Sequence, residues 1–102
     1  MAGKTKPVAP VNPGETLRED FLKPLGLTAE WLAMELLVPP SRVIDIVRRR
    51  RAVTADTALR LARYFGTTPQ FWMNLQANYD LEVAQDARGA EIDGRIGPRR
   101  PA

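Results

Sequence analysis

Apolar residues recur at helical spacing along the chain, and capping residues mark the breaks between the stripes. Leu17, Phe21 and Leu25 stand four apart behind Asn12-Pro13, an N-cap followed by proline at the first helical position. Glu15 adds an acid to that first turn, and Pro24 with Gly26 closes the segment. Thr28 caps a second, short helix in which Leu32 and Leu36 share a face, ending before Pro39-Pro40. A third helix begins near Pro40 or Ser41, buries Val43, Ile46 and Val47, and leads into an arginine run. Thr54 caps a fourth, with Asp56 in its first turn, a stripe of Ala58, Leu61 and Phe65, and Gly66 as the terminating glycine. Thr68-Pro69 repeats the cap-plus-proline device, and the stripe Trp72, Leu75, Tyr79, Val83 predicts a fifth helix over about 69–87. No segment of useful length alternates apolar and polar residues as a half-buried strand does. The pattern predicts an all-α bundle of five helices.

Outside these stripes the periodicity stops. Residues 1–11, rich in Pro, Ala and Lys, predict a flexible N-terminal arm, and residues 88–102, with three glycines and two prolines, predict a disordered C-terminal tail. The folded body is then 12–87. A composition of 44% hydrophobic and 26% charged residues is that of a globular protein. No stretch approaches the roughly 18 apolar residues of a membrane span, and the lysine-bearing N-terminus lacks a signal-peptide core, so a cytoplasmic location is expected. The chain has neither cysteine nor histidine. That removes disulfides, most zinc and haem sites and the common nucleophile–base pairs. Carboxylates at a recognisable catalytic spacing and a glycine-rich phosphate loop are both missing. No enzyme activity, cofactor or metal is expected.

Charge adds direction to this picture. Residues 42–51 hold Arg42, Arg48, Arg49, Arg50 and Arg51 against the single Asp45, whereas 79–86 hold Asp80, Glu82 and Asp86 with no base. A field segregated in this way presents one side of a molecule to a polyanion. The second and third helices have the helix-turn-helix plan: two short helices, a tight turn, and a basic second member. Ala33 is small where two helices must cross closely, and Val38 is apolar in the turn between them. Ser41, Arg42, Ile44 and Asp45 then occupy the exposed face of the third helix. Arginine grips guanine O6 and N7 with two hydrogen bonds, and serine reaches bases or phosphates. Ser41, Arg42 and Asp45 are the candidate base contacts. Thr28, Arg48, Arg49, Arg50 and Arg51 are the candidate phosphate contacts.

Each residue also has a plainer reading. Arg42 is alternatively a solvated surface arginine, and Asp45 an ion-pair partner of Arg42 or Arg49. Trp31, Phe71 and Trp72 suit a core or a dimer interface better than a base-stacking platform. Tyr79 and the acids after it form a solvated helix end or a partner surface. Trp72, Tyr79 and Val83 are the expected dimer contacts. A dimer is expected because one short recognition helix reads too few base pairs alone; its two half-sites would lie about 34 Å apart.

Over residues 12–84 the chain resembles the HigA-type antitoxins, also described as VapI-like proteins of the Xre family. The matching strings are NPGETLREDFLKPLGLTAEWLA and VPPSRVIDIVRRRRAVTADTALRLARYFGTTPQFWMNLQANYDLEVA. Within them, Pro39 to Arg42, Thr54 to Leu61 and Phe71 to Gln76 match distinctive family segments. The resemblance implies a lambda-repressor-like helix-turn-helix fold and a homodimer on double-stranded operator DNA of its own promoter. It also implies a RelE- or HigB-like mRNA-cleaving toxin as partner. A stand-alone Xre-type repressor, or a protein-interaction module without DNA binding, are the alternatives.

The sequence departs from the family pattern in three places. Asn12 replaces a usual histidine, Leu37 a usual glycine in the turn between helices two and three, and Arg48-Arg49-Arg50-Arg51 the usual Asn-Gly-Lys-Arg. The lost glycines bear on local geometry rather than on the fold. A tight turn at Leu37 calls for positive φ, which costs an L-residue on the order of 1–2 kcal/mol. Burial of its side chain would offset this, and a turn held at another angle by Pro39-Pro40 would avoid it. The expectation is an exposed, strained Leu37.

Overall fold

A computed structural model describes residues 10–100. Five helices form: α1 over 13–25, α2 Ala29–Leu36, α3 Pro40–Val47, α4 Ala55–Phe65 and α5 Pro69–Arg95. The described residues contain no strand. Of the expected N-terminal arm, residues 1–9 lie outside the described residues.

The helix starts follow from side-chain oxygens that accept otherwise unpaired amides. Asn12 Oδ1 accepts from Gly14 N at 2.8 Å, and Thr28 Oγ1 from Trp31 N at 3.0 Å. Thr54 Oγ1 accepts from Thr57 N at 3.4 Å, and Thr68 Oγ1 from Phe71 N at 3.1 Å. Gly26 and Gly66 end α1 and α4 in the left-handed region.

α1 is not a regular α-helix. Between Pro13–Thr16 and Lys23–Leu25, residues Leu17–Leu22 form a wider π-helical turn, in which the Lys23 amide donates to the Arg18 carbonyl five residues back. A turn of that width brings residues five apart onto one face. Leu17 and Leu22 are therefore the buried pair, and Phe21 is half-buried. Leu25, expected on the buried stripe, is 58% exposed. The four-residue spacing misplaced it because the chain gains an extra residue per turn just upstream.

The core draws on every helix. Leu17 and Leu22 of α1, Leu32, Ala33 and Leu36 of α2, and Val43 and Ile46 of α3 meet Ala58, Leu61 and Ala62 of α4 and Trp72 of α5. Val38 packs on this core from the α2–α3 turn. Trp72 is wholly buried; its ring lies 5.0 Å from Phe21 and its Nε1 donates to Thr67 Oγ1 at 2.8 Å. It therefore offers no surface to a second copy, and its expected part in a dimer interface is withdrawn. α1 crosses α3 so closely at Gly14 that any Cβ there would run into the Ile46 carbonyl.

α5 reaches further than its stripe implied. It continues to Arg95, so residues 88–95, expected within a disordered tail, are helical. Gly89 and Gly94 read as breakers, yet the Gln85 side chain packs over Gly89, and Arg88 Nε pairs with Glu91 Oε1 at 2.8 Å across one turn. Packing holds only the first half. Trp72 and Gln76 are buried, whereas Leu81, Val83 and Ile92 are exposed on a length of helix that supplies no residue to the hydrophobic core.

Candidate nucleic-acid interface

α2 and α3 are joined by Leu37, Val38 and Pro39. The Val38 amide donates to the Ala33 carbonyl at 3.0 Å and the Leu37 amide to Met34 at 3.1 Å, a Schellman closure that requires its penultimate residue to be left-handed. Leu37 complies, with φ 61° and ψ 44°, and its side chain is 84% exposed. The strained alternative is the one observed, and burial does not offset it.

α3 presents two sides. Val43 and Ile46 face the core. At about 100° per residue, Ser41, Ile44, Asp45 and Arg48 point the opposite way, and Arg42 lies on the flank toward α4. Ser41 and Arg48 are exposed, whereas Ile44 and Asp45 are half-buried. Arg42 is half-buried and is not paired with Asp45. Its Nη1 donates to Asp56 Oδ2 in the first turn of α4 at 2.7 Å. The same oxygen accepts from Arg60 Nε at 2.9 Å, and Arg60 Nη1 donates to the Leu36 carbonyl at 2.8 Å. Hydrogen bonds from Arg60 and then Arg42 hold the Asp56 carboxyl below the ordinary carboxylate value. Asp45 instead pairs with Arg51, at 3.5 Å.

The arginine run begins where α3 stops. The Arg50 amide donates to the Asp45 carbonyl at 2.7 Å and the Arg49 amide to Ile46 at 3.0 Å. Arg49 takes φ 64° to permit this, so a second side-chain-bearing residue is left-handed. All four arginines from 48 to 51 are exposed. Arg49 Nη2 stands 4.0 Å from Glu15 Oε1, while Arg48 and Arg50 have no ion-pair partner among the described residues. The loop is fastened from behind, where buried Gln76 accepts the Val53 amide at 2.7 Å and donates to Asp80 Oδ1 at 2.9 Å. Thr28 opens α2 on the surface, its oxygen occupied by the Trp31 amide and its hydroxyl hydrogen still available as a donor. Ser41, Arg42 and Asp45 thus sit together on α3, with Arg48 to Arg51 at its far end. Of the expected dimer contacts, Tyr79 is half-buried and Val83 is 41% exposed.

Comparison with known proteins places this geometry. The pattern of the helix-turn-helix family matches residues 19–72. The chain is 56% identical over 92 residues to virulence-associated protein I of Dichelobacter nodosus, spanning 89% of this chain and 84% of that protein. It is 39% identical over 72 residues to antitoxin HigA-1 of Vibrio cholerae, spanning 71% and 68% of the two chains. The chain belongs to the HigA-type helix-turn-helix family. Antitoxin HigA of Pseudomonas aeruginosa, solved with the higBA promoter, shares the fold at a TM-score of 0.87 and 46% identity, over 89% of this chain and 99% of that one. The relatives are named as antitoxins, virulence-associated proteins and helix-turn-helix transcriptional regulators, not as enzymes.

Asp56, Arg60 and Gln76 are site residues that sequence reasoning missed. Asp56 and Arg60 were legible as a pair four apart on one helix. The bonds from Asp56 to Arg42 and from Gln76 to Val53 span 14 and 23 residues, and no local pattern announces them.

Proposed function

We propose that this chain is an antitoxin that binds operator DNA in its own promoter as a homodimer, represses that operon, and neutralises a RelE- or HigB-like mRNA-cleaving toxin. The observation that carries the reading is the outer side of α3, with exposed Ser41 and half-buried Arg42 and Asp45 ahead of four surface arginines. Its likeness to a HigA antitoxin solved with promoter DNA supports the same role. Ser41, Arg42 and Asp45 contact base edges, with arginine on guanine and aspartate on a cytosine amino group. Thr28 and Arg48 to Arg51 contact phosphates and set the register. A second copy docks through α5, on half-buried Tyr79, Val83 and the exposed positions beyond them, and half-sites lie about one DNA turn apart. Among the described residues no helix is long and apolar enough to cross a membrane, and no membrane partner enters the reading.

Two measurements test it. Fluorescence anisotropy compares the chain's own promoter duplex with a scrambled duplex of equal length; equal affinity for both would overturn sequence-specific repression. Co-expression with the product of the adjacent gene tests the toxin arm. Joint purification and restored growth are expected, and independent behaviour would leave a stand-alone repressor.

A further inference from the structure

We propose that Asp56 is a positioning residue for DNA reading, presetting the guanidinium of Arg42 before DNA arrives, with Arg60 holding Asp56 in place. The inference rests on the reading of Arg42 as a base contact. Arginine is long and rotamer-rich, so fixing it on a base edge costs conformational entropy at the moment of binding. Here much of that ordering is already done. Nη1 is committed to Asp56 Oδ2 at 2.7 Å, and only 30% of the Arg42 side chain is exposed. Asp56 is itself held, because its Oδ2 also takes Arg60 Nε at 2.9 Å. Arg60 is tied in turn to the last turn of α2 through the Leu36 carbonyl at 2.8 Å. The chain of contacts thus runs from α2 through α4 to the first turn of α3.

Arg42 needs only one of its donors for this contact. Guanidinium is a planar fork with five N–H donors, so the remaining donors stay free to make the two bonds to guanine O6 and N7. A carboxylate beside a reading arginine has a second consequence. It repels phosphates, so removing its charge strengthens binding to any duplex. Positioning and repulsion therefore act in opposite directions on operator affinity, and only positioning changes the preference for operator over other DNA.

The experiment uses the full chain as wild type, Asp56→Asn, Arg42→Ala and the double variant, each titrated with operator and scrambled duplex at one salt concentration. Asp56→Asn is expected to lower the operator-to-scrambled preference about three- to tenfold, the order that immobilising one rotamer-rich side chain is worth. Its affinity for scrambled DNA is expected to hold or rise. In the Arg42→Ala background the same substitution is expected to change the preference no further. Arg60→Gln, which frees Asp56 without touching Arg42, is expected to give a smaller loss in the same sense. The proposal is overturned if Asp56→Asn shifts both affinities by one common factor, as bare charge removal or lost folding would, or if its loss of preference persists on top of Arg42→Ala. If Arg42→Ala itself leaves the preference intact, the base-reading role of Arg42 fails and the positioning role falls with it.

Discussion

Leu37 and Arg49 bracket α3 in the same left-handed conformation, at φ 61° and 64°. Each closes a Schellman turn, one leading into the recognition helix and one leading out of it, at positions where the family usually carries glycine. The turns keep their hydrogen bonds, so the geometry is set by the helix ends and the side chains conform to it. Each Cβ then costs on the order of 1–2 kcal/mol. Leu37→Gly is expected to stabilise the fold by about 1 kcal/mol, the strain relieved being partly offset by the greater freedom of glycine in the unfolded chain. Operator affinity should not change. A denaturant titration checks this, and a lower unfolding midpoint for Leu37→Gly would reverse the sign. Arg49→Gly should stabilise similarly while weakening DNA binding through the lost charge.

The two classes of arginine separate by salt. Arg42→Ala is expected to cost about 1–3 kcal/mol on operator DNA and to relax the preference at one base position. Arg50→Ala, which removes a surface charge with no ion-pair partner among the described residues, should weaken all duplexes alike. It should also flatten the dependence of log K on log salt by about 0.9. Titrations at several salt concentrations resolve both. A uniform loss for Arg42→Ala would assign that residue to the backbone instead.

Gly14 is where α1 touches the backbone of α3. Gly14→Ala would drive a methyl group into the Ile46 carbonyl, which is main chain and cannot swing aside. A destabilisation of about 1–3 kcal/mol or more is expected from the overpacking, read as a lower thermal midpoint. Ile46 lies in α3, so displacing its carbonyl should also weaken operator binding. A neutral outcome would mean that the two helices do not cross this closely.

The Arg42–Asp56–Arg60 cluster has a defined pH window. Asp56 has a folded pKa below its unfolded value of 3.8, so it binds fewer protons in the folded state. Its contribution to stability is complete above 3.8 and fades as pH falls through the folded value. Asp56→Asn should therefore reduce stability near neutral pH and make little difference in strong acid. Carbonyl chemical shifts across an acid titration should show Asp56 titrating below its ordinary value of 3.8; a midpoint at or above that value would dissolve the cluster.

The helix ends were legible because caps act within three or four residues. Asn12, Thr28, Thr54 and Thr68 bond amides two or three positions on, and Gly26 and Gly66 turn left where they stand. The face of α3 was legible for the same reason, since Val43 and Ile46 identify the buried side and the exposed set follows by rotation. What escaped depends on neighbours distant in sequence or on departures from the α period. Leu22 is buried in place of Leu25 because one turn of α1 is π-helical. Trp72 was open between core and dimer interface, and it lies in the core because Phe21, Phe65 and Phe71 converge on it from two other helices and its own. Gly89 and Gly94 suggested an end to α5, but Gly89 is covered by the Gln85 side chain and a glycine costs a helix only about 1 kcal/mol, which a helix already nucleated by Trp72 and Gln76 can absorb.

That last point bears on how α5 would behave in solution. Residues 81–95 take their helical form from the turns before them rather than from burial, and a detached segment of about 15 residues is marginally helical in water. In a single copy α5 should fray from Arg95 back toward Asp80, turn by turn. If a second copy docks on Leu81, Val83 and Ile92 as proposed, far-ultraviolet ellipticity per residue should rise with protein concentration. Docking on this face would be coupled folding, with affinity set by helix completion as much as by the contacts made.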